Sequence, residues 1–133
     1  MSTAALFRNI PDRDLLGFGI GTAFEPKRVS DWLDLKKADV SRVAEVSPKS
    51  VRWDSEIPAA VHDRLEEIAL TCNLVAQAFG GDVAKTALWF KARNPMLGDV
   101  SPRDMVRLGR FDRLRRFIIG AMSEQSTPQE TSA

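Results

Sequence analysis

A chain of 133 residues with one cysteine, one histidine and a net charge of +1 excludes several classes of protein at once. Cys72 alone can form neither an internal disulfide nor a cysteine-only metal site, and His62 alone does not complete the usual zinc ligand set. No stretch approaches the roughly 18 consecutive apolar residues that span a bilayer. The start lacks the basic-then-apolar pattern of a secretion signal, so no membrane association and a cytoplasmic location are expected. The length suits one globular domain, or two small helical modules sharing a core.

Charge is unevenly spread. Pro26–Trp53 holds seven basic residues against four acidic, Asp54–Ala84 one against six, and Lys85–Arg116 nine against three. Basic clusters of this kind attract nucleic acid, phosphate-bearing ligands or an acidic protein face, and otherwise form solvated helix surface.

Met1–Glu25 has no helical period and reads as an N-terminal arm. Within it Gly17, Gly19 and Gly21 alternate with Phe18 and Ile20. The phosphate-loop pattern fails, because Thr22 occupies the next slot and no G-K-[ST] follows. A loop or short extended arm that packs its apolar residues on the main domain is expected instead. Pro26 opens a helix through Leu35, with Val29, Trp32 and Leu33 on one side. A second helix runs from Lys36 to Ala44. Ser47 then stands as N-cap before Pro48, which predicts a third short helix to about Trp53.

The longest helix is predicted from Pro58 to Phe79. Val61, Leu65, Ile68, Cys72, Val75 and Phe79 form one apolar stripe along it, usable as a central core helix or as a dimer seam. Gly80-Gly81 ends it. Asp82 caps the next helix, which stops at Asn94-Pro95. Ser101-Pro102 caps a short helix ending at Leu108-Gly109, and a last helix from Arg110 to Met122 buries Phe111, Leu114, Ile118 and Ala121. Ser123–Ala133 is polar and small, and reads as a disordered tail. No convincing strand follows Glu25, so the fold class is all-α.

No catalytic constellation emerges. His62 sits near a helix start, where a lone histidine is commonly a surface group or a satisfied partner. Cys72 lies on the apolar stripe as a small hydrophobe. Glu66 and Glu67 are adjacent, so they point to different faces. The reading is a binder with no cofactor and no metal, not an enzyme.

The two short helices around Glu45–Pro48 form a helix-turn-helix candidate. If its second helix entered a major groove, Lys49, Ser50 and Arg52 would reach base edges, while Lys36, Lys37, Arg42 and Lys49 could hold phosphates. Leu35, Ala38, Val40, Val46, Ser47, Val51, Arg52 and Trp53 resemble the Xre (Cro/repressor-like) pattern. Three departures stand out. Glu45 occupies the turn position where many such repressors have glycine, Ser41 replaces a small alanine, and the recognition segment is one residue short between Val51 and Arg52. One residue rotates a helix by about 100°, which would turn Arg52 away from the repressor position.

The C-terminal half carries a more specific set. Ala87-Leu88-Trp89-Phe90, Asn94-Pro95-Met96-Leu97-Gly98, Ser101-Pro102-Arg103-Asp104-Met105-Val106 and Leu108-Gly109 resemble the toxin-binding domain of Xre/MbcA/ParS antitoxins. With the helix-turn-helix region the resemblance covers roughly Pro26 to Met122. It divides the chain into the arm at 1–25, an Xre-like region with the long helix at 26–80, a toxin-binding domain at 81–122 and a tail at 123–133. It implies the antitoxin of a type II toxin–antitoxin pair, blocking a RES-domain toxin that consumes NAD or transfers ADP-ribose, and repressing its own operon in many systems. A homodimer within a toxin–antitoxin hetero-oligomer follows from the same resemblance.

A physical argument accompanies it. Caps at both ends make Asn94–Ser101 a short, preorganised loop, which loses little entropy on binding. Expected toxin contacts are Asn94, Met96, Leu97 and Gly98 of this loop, with Arg103, Arg107, Arg110, Arg113 and Arg116 meeting acidic toxin residues. By apolar character Trp89, Leu97, Pro102 and Leu108 belong equally to a core. The alternative function is a stand-alone Xre-like transcriptional regulator that dimerises through its C-terminal helices.

Overall fold

In a computed structural model of the chain, residues 14–126 are described, with side chains as far as Glu124. Expectations about residues 1–13 and 127–133 lie outside the described residues. The described chain is helical: α1 (Pro26–Trp32), α2 (Lys37–Ala44), α3 (Ala59–Ala78), α4 (Val83–Lys91), α5 (Pro102–Arg107) and α6 (Phe111–Ser126). Single 3-10 turns lie at Pro48–Ser50 and Pro95–Leu97. Among the described residues there is no strand beyond an isolated antiparallel bridge, Asn94 to Val100, and no helix long and apolar enough to cross a membrane.

Helix α3 is the centre, touching α1, α2, α4 and α6. Val61, Leu65, Ile68 and Cys72 of its apolar stripe are all but inaccessible to solvent. From Thr71 to Ala76 every side chain is buried, more than a full turn, so this stretch is enclosed on all sides. The stripe therefore serves the core, and only Phe79 at its end stays half-buried. One continuous core runs from Phe18 to Ile118 and draws on every helix.

Enclosure creates a problem for Asn73, which has 0% of its surface exposed. A buried amide without partners costs several kcal/mol, about 1–3 per group in proteins. The segment before α1 resolves it. The Asn73 carbonyl oxygen accepts from Leu16 N at 2.9 Å and its amide donates to Asp14 at 3.1 Å. Asp14 in turn accepts from the backbone of Phe18, Gly19 and Ile20. Curling the chain that tightly needs positive φ at Gly17, Gly19 and Gly21. At Gly19 a Cβ would fall 2.2 Å from the Ala23 carbonyl oxygen, so only glycine fits. The alternating glycines thus build a turn that seats Phe18 in the core, as the arm reading expects.

The caps follow the sequence for α4 and α5. Asp82 accepts from Lys85 N at 2.9 Å, and Ser101 Oγ accepts from Asp104 N at 3.0 Å. Three expectations need correction. Ala121, expected in the buried face of the last helix, is exposed. The third helix to Trp53 is absent: after the turn at Pro48–Ser50 the chain is extended. Ser47 Oγ bonds Ser50 Oγ at 3.1 Å instead of capping a backbone N–H. Val51 and Trp53 then turn inward and Arg52 outward, the two-residue alternation of extended chain. Ser123 to Ser126, expected in the tail, belong instead to α6.

Arg64 ties the far side together. Its guanidinium lies 5.0 Å from the centre of the Phe111 ring, donates to the Val43 carbonyl at 3.0 Å and grips both oxygens of Asp112 at 3.0 and 3.2 Å. The Arg64 hydrogen bonds hold the Asp112 carboxyl below its ordinary value of 3.8. Burial pushes the Asp14 carboxyl up, but the Phe18, Gly19 and Ile20 N–H groups and the Asn73 amide outweigh it and hold it below 3.8 as well.

Replacing Asp14 or Asn73 by Ala is expected to lower stability by about 2 kcal/mol each, with the double variant less than additive because the two share one network. Urea unfolding measures this. Both depressed carboxylates contribute stability that is intact above about pH 4 and lost as pH falls through their folded pKa values. The acid limb of a stability-versus-pH curve is therefore expected to flatten in Asp112→Asn, and additive behaviour or an unchanged limb would contradict these assignments.

Candidate functional site

Between α4 and α5 the chain makes a closed loop. Asn94 N donates to Val100 O at 3.2 Å, while Asn94 O accepts from Leu97 N and Asp99 N, both at 2.9 Å. The Asn94 side chain accepts from Met96 N at 2.9 Å. Gly98 and Asp99 take positive φ to turn the chain back, and the Ser101 cap fixes the exit. Leu97 packs on the core, whereas Met96 stands out with 76% of its surface exposed. A large apolar side chain is thus held in water at the tip of a rigid loop.

On α4, which leads into that loop, Thr86 and Phe90 face inward and Leu88 faces out at 69% exposure. The sequence reading counted Leu88 only as one more apolar residue of the tryptophan helix. Its signal was there: Leu88 lies about 200° around the helix from Thr86 and Phe90. Of the four residues that apolar character placed in the core, Pro102 is buried, Trp89 and Leu97 are half-buried, and Leu108 is half exposed.

The expected toxin-facing arginines divide into two groups. Arg103 reaches Asp34 at 3.6 Å, and Arg107 reaches Asp39 at 3.4 Å and Asp104 at 3.5 Å, so they brace α5 to the turn after α1 and to α2. Arg110, Arg113 and Arg116 are exposed and make no ion pair among the described residues.

The nucleic-acid candidates are scattered by the extended segment. Arg52 clamps Asp54 at 2.8 and 2.6 Å and adds Glu56 at 3.1 Å, so its fork of donors is already occupied. Arg42 donates to the Arg107 carbonyl and pairs with Asp39. Ser50 is engaged with Ser47, and Lys37 and Lys49 are solvated. Glu45 does hold the left-handed conformation, φ 58°, at the turn position where the repressor pattern has glycine.

Burial drives the Cys72 thiol far above its usual range, which leaves it unreactive. His62 packs edge-on against Phe24 with ring centres 5.4 Å apart. With Asp63 and Glu66 it offers three ligand atoms within 4.8 Å of one another. The sequence reading missed this trio by pairing Glu66 with Glu67. The i, i+4 spacing of His62 and Glu66 was the available signal. Its Nδ1 is already bonded to Asp63 at 3.1 Å, and Asp63 is well exposed.

Two cavities flank the loop. On one side Arg42, Arg93 and Arg107 alternate with Asp39, Asp99 and Asp104 around about 480 Å³. On the other, Phe79, Trp89, Phe117, Ile118 and Met122, with Asn94 at one edge, line an apolar groove of about 240 Å³.

Because Leu88 and Met96 touch little of the protein, Leu88→Asp and Met96→Asp are expected to change stability by less than about 0.5 kcal/mol in thermal or urea unfolding. A loss several times larger in either variant would mean that the side chain belongs to the packing. No protein-family model, curated protein or solved structure matches the chain.

Proposed function

We propose that this chain acts as a stoichiometric protein inhibitor, the antitoxin of a type II pair, with a RES-domain, NAD-consuming or ADP-ribosylating enzyme as its partner. The observation that carries the reading is Met96, 76% exposed at the tip of the closed Asn94–Ser101 loop. Preorganised loops with an apolar tip dock into pockets at small entropic cost, and large exposed apolar side chains commonly mark interfaces. The partner's identity rests on the resemblance of the Trp89–Gly109 motifs to the toxin-binding domain of Xre/MbcA/ParS antitoxins.

Leu88 widens the contact, and Arg110, Arg113 and Arg116 favour a partner with acidic groups near its pocket. Arg103 and Arg107 contribute indirectly, through the ion pairs that hold α5 in place. The activity is that of a binder without cofactor in the cytoplasm, in a toxin–antitoxin hetero-oligomer containing a dimer of this chain. Operon repression has weaker support, since the segment that would read bases is extended and Arg52 is occupied by Asp54 and Glu56.

Co-expression with the RES-type product of an adjacent gene tests this. The wild-type chain is expected to co-purify with it and restore growth, while Met96→Asp loses at least tenfold in affinity without loss of fold. Charge reversal at Arg110, Arg113 and Arg116 together should weaken the pair and reduce its salt dependence. Failure to form a complex, or Met96→Asp binding as well as wild type, would refute the proposal. In gel shifts of the upstream region at about 150 mM salt, the isolated chain is expected to show no sequence preference.

A further inference from the structure

The first turns of α3 carry His62-Asp63-Arg64-Leu65-Glu66, and three of these five side chains can ligate a metal. At 3.6 residues per turn His62, Glu66 and Asp63 fall within about 100° of one another around the helix, so they share one face. One nitrogen of His62 and one carboxylate oxygen each from Asp63 and Glu66 lie within 4.8 Å of one another. His62 Nδ1 and Asp63 Oδ1 are already 3.1 Å apart. Ligands of zinc stand about 2.0–2.2 Å from the ion, so neighbours around a tetrahedral centre are about 3.3–3.6 Å apart. Rotation of the Asp63 and Glu66 side chains closes the remaining distance, about 1 Å.

The charges around the trio favour a cation. Neither Asp63 nor Glu66 pairs with a lysine or arginine among the described residues. The neighbouring cations are engaged elsewhere. Arg64 holds Asp112 and Glu67, while Lys27 and Arg28, which line the cleft beside His62, hold Asp31 and Glu25. Nδ1 faces a carboxylate oxygen, and without a proton or a metal ion in the gap both atoms would present lone pairs to each other. The ring is also held in advance. Its edge-on contact with Phe24, ring centres 5.4 Å apart, restricts its rotation before any ion arrives.

We infer that His62, Asp63 and Glu66 bind one divalent first-row transition ion, Zn²⁺ foremost, with water completing its coordination. An imidazole with two carboxylates is a mixed donor set. It suits zinc and its neighbours better than Mg²⁺ or Ca²⁺, whose sites are built of oxygen. Spacing of i, i+4 on a helix presents two such ligands from one face. The bound ion clamps the His62 ring, and through it holds Phe24 just before α1.

Isothermal titration of the full-length, tag-free chain with zinc chloride tests the site. One Zn²⁺ per chain is expected, with His62→Gln and Glu66→Gln each lowering the affinity at least tenfold. Glu67→Gln, at the next carboxylate round the helix, should leave it within twofold. The buried Cys72 does not compete. Because His62 is the one histidine, its imidazole NMR signals stand alone, and Zn²⁺ is expected to move them where Mg²⁺ does not. Zinc should likewise raise the thermal unfolding midpoint of the wild type but not of Glu66→Gln. The Glu66 carboxylate makes no hydrogen bond or ion pair among the described residues, so this variant tests the site even where loss of the His62–Phe24 contact lowers stability. Binding weaker than about 1 mM, an affinity unchanged in both ligand variants, or an equal response to Mg²⁺ would overturn the inference. None of these readouts involves a toxin, so the result stands apart from the antitoxin reading.

Discussion

The hydrogen bonds between Asn73 and the Asp14–Ile20 turn are what the rest of the structure leans on. A helix enclosed on every side normally carries only apolar residues there, yet Asn73 sits in its innermost stretch. The amide is tolerable only while Leu16 N and Asp14 are in place. Order in the first part of the chain is thereby coupled to order at the centre. The glycines, the buried Phe18 and its edge-on contact with Trp32 all follow from that coupling. Trp32 in turn meets Phe90, so the aromatic contacts extend to α4 and the base of the candidate surface.

Charge is used in two ways. Arg64, Arg103 and Arg107 are directed inward or along the surface, where Asp112 and Asp39 on other helices and Asp34 in the turn after α1 receive them. They act as cross-braces between elements that also meet in the common core. The arginines of α6 are left facing solvent. Composition alone treats the two groups alike, although only the second has guanidinium groups to offer a visitor.

Much of the fold was legible because its signals are local. Periodicity marked α3, and the Asp82 and Ser101 caps marked the starts of α4 and α5 to the residue. The Pro48–Trp53 segment was misread for a reason that is also physical. Ser-Pro is a sound helix start, but the burial of Val51 and Trp53 on the core demanded an alternating chain, and tertiary packing overrode local preference. Asn94 as the closing residue of the loop was readable from its place before Pro95. The outward turn of Leu88 was readable from the burial of its helix neighbours. The inward pairing of Arg103 and Arg107 was not, because their partners Asp34 and Asp39 lie 69 and 68 residues away in the chain.

The loop between α4 and α5 holds its shape almost wholly through main-chain bonds and the Asn94 amide. Nothing in that arrangement depends on which side chain occupies its tip. Position 96 is consequently free to vary at almost no cost to folding, and related chains can exchange one tip residue for another while keeping the same scaffold. The chemistry presented at the tip can therefore change at this one site, with the framework left intact.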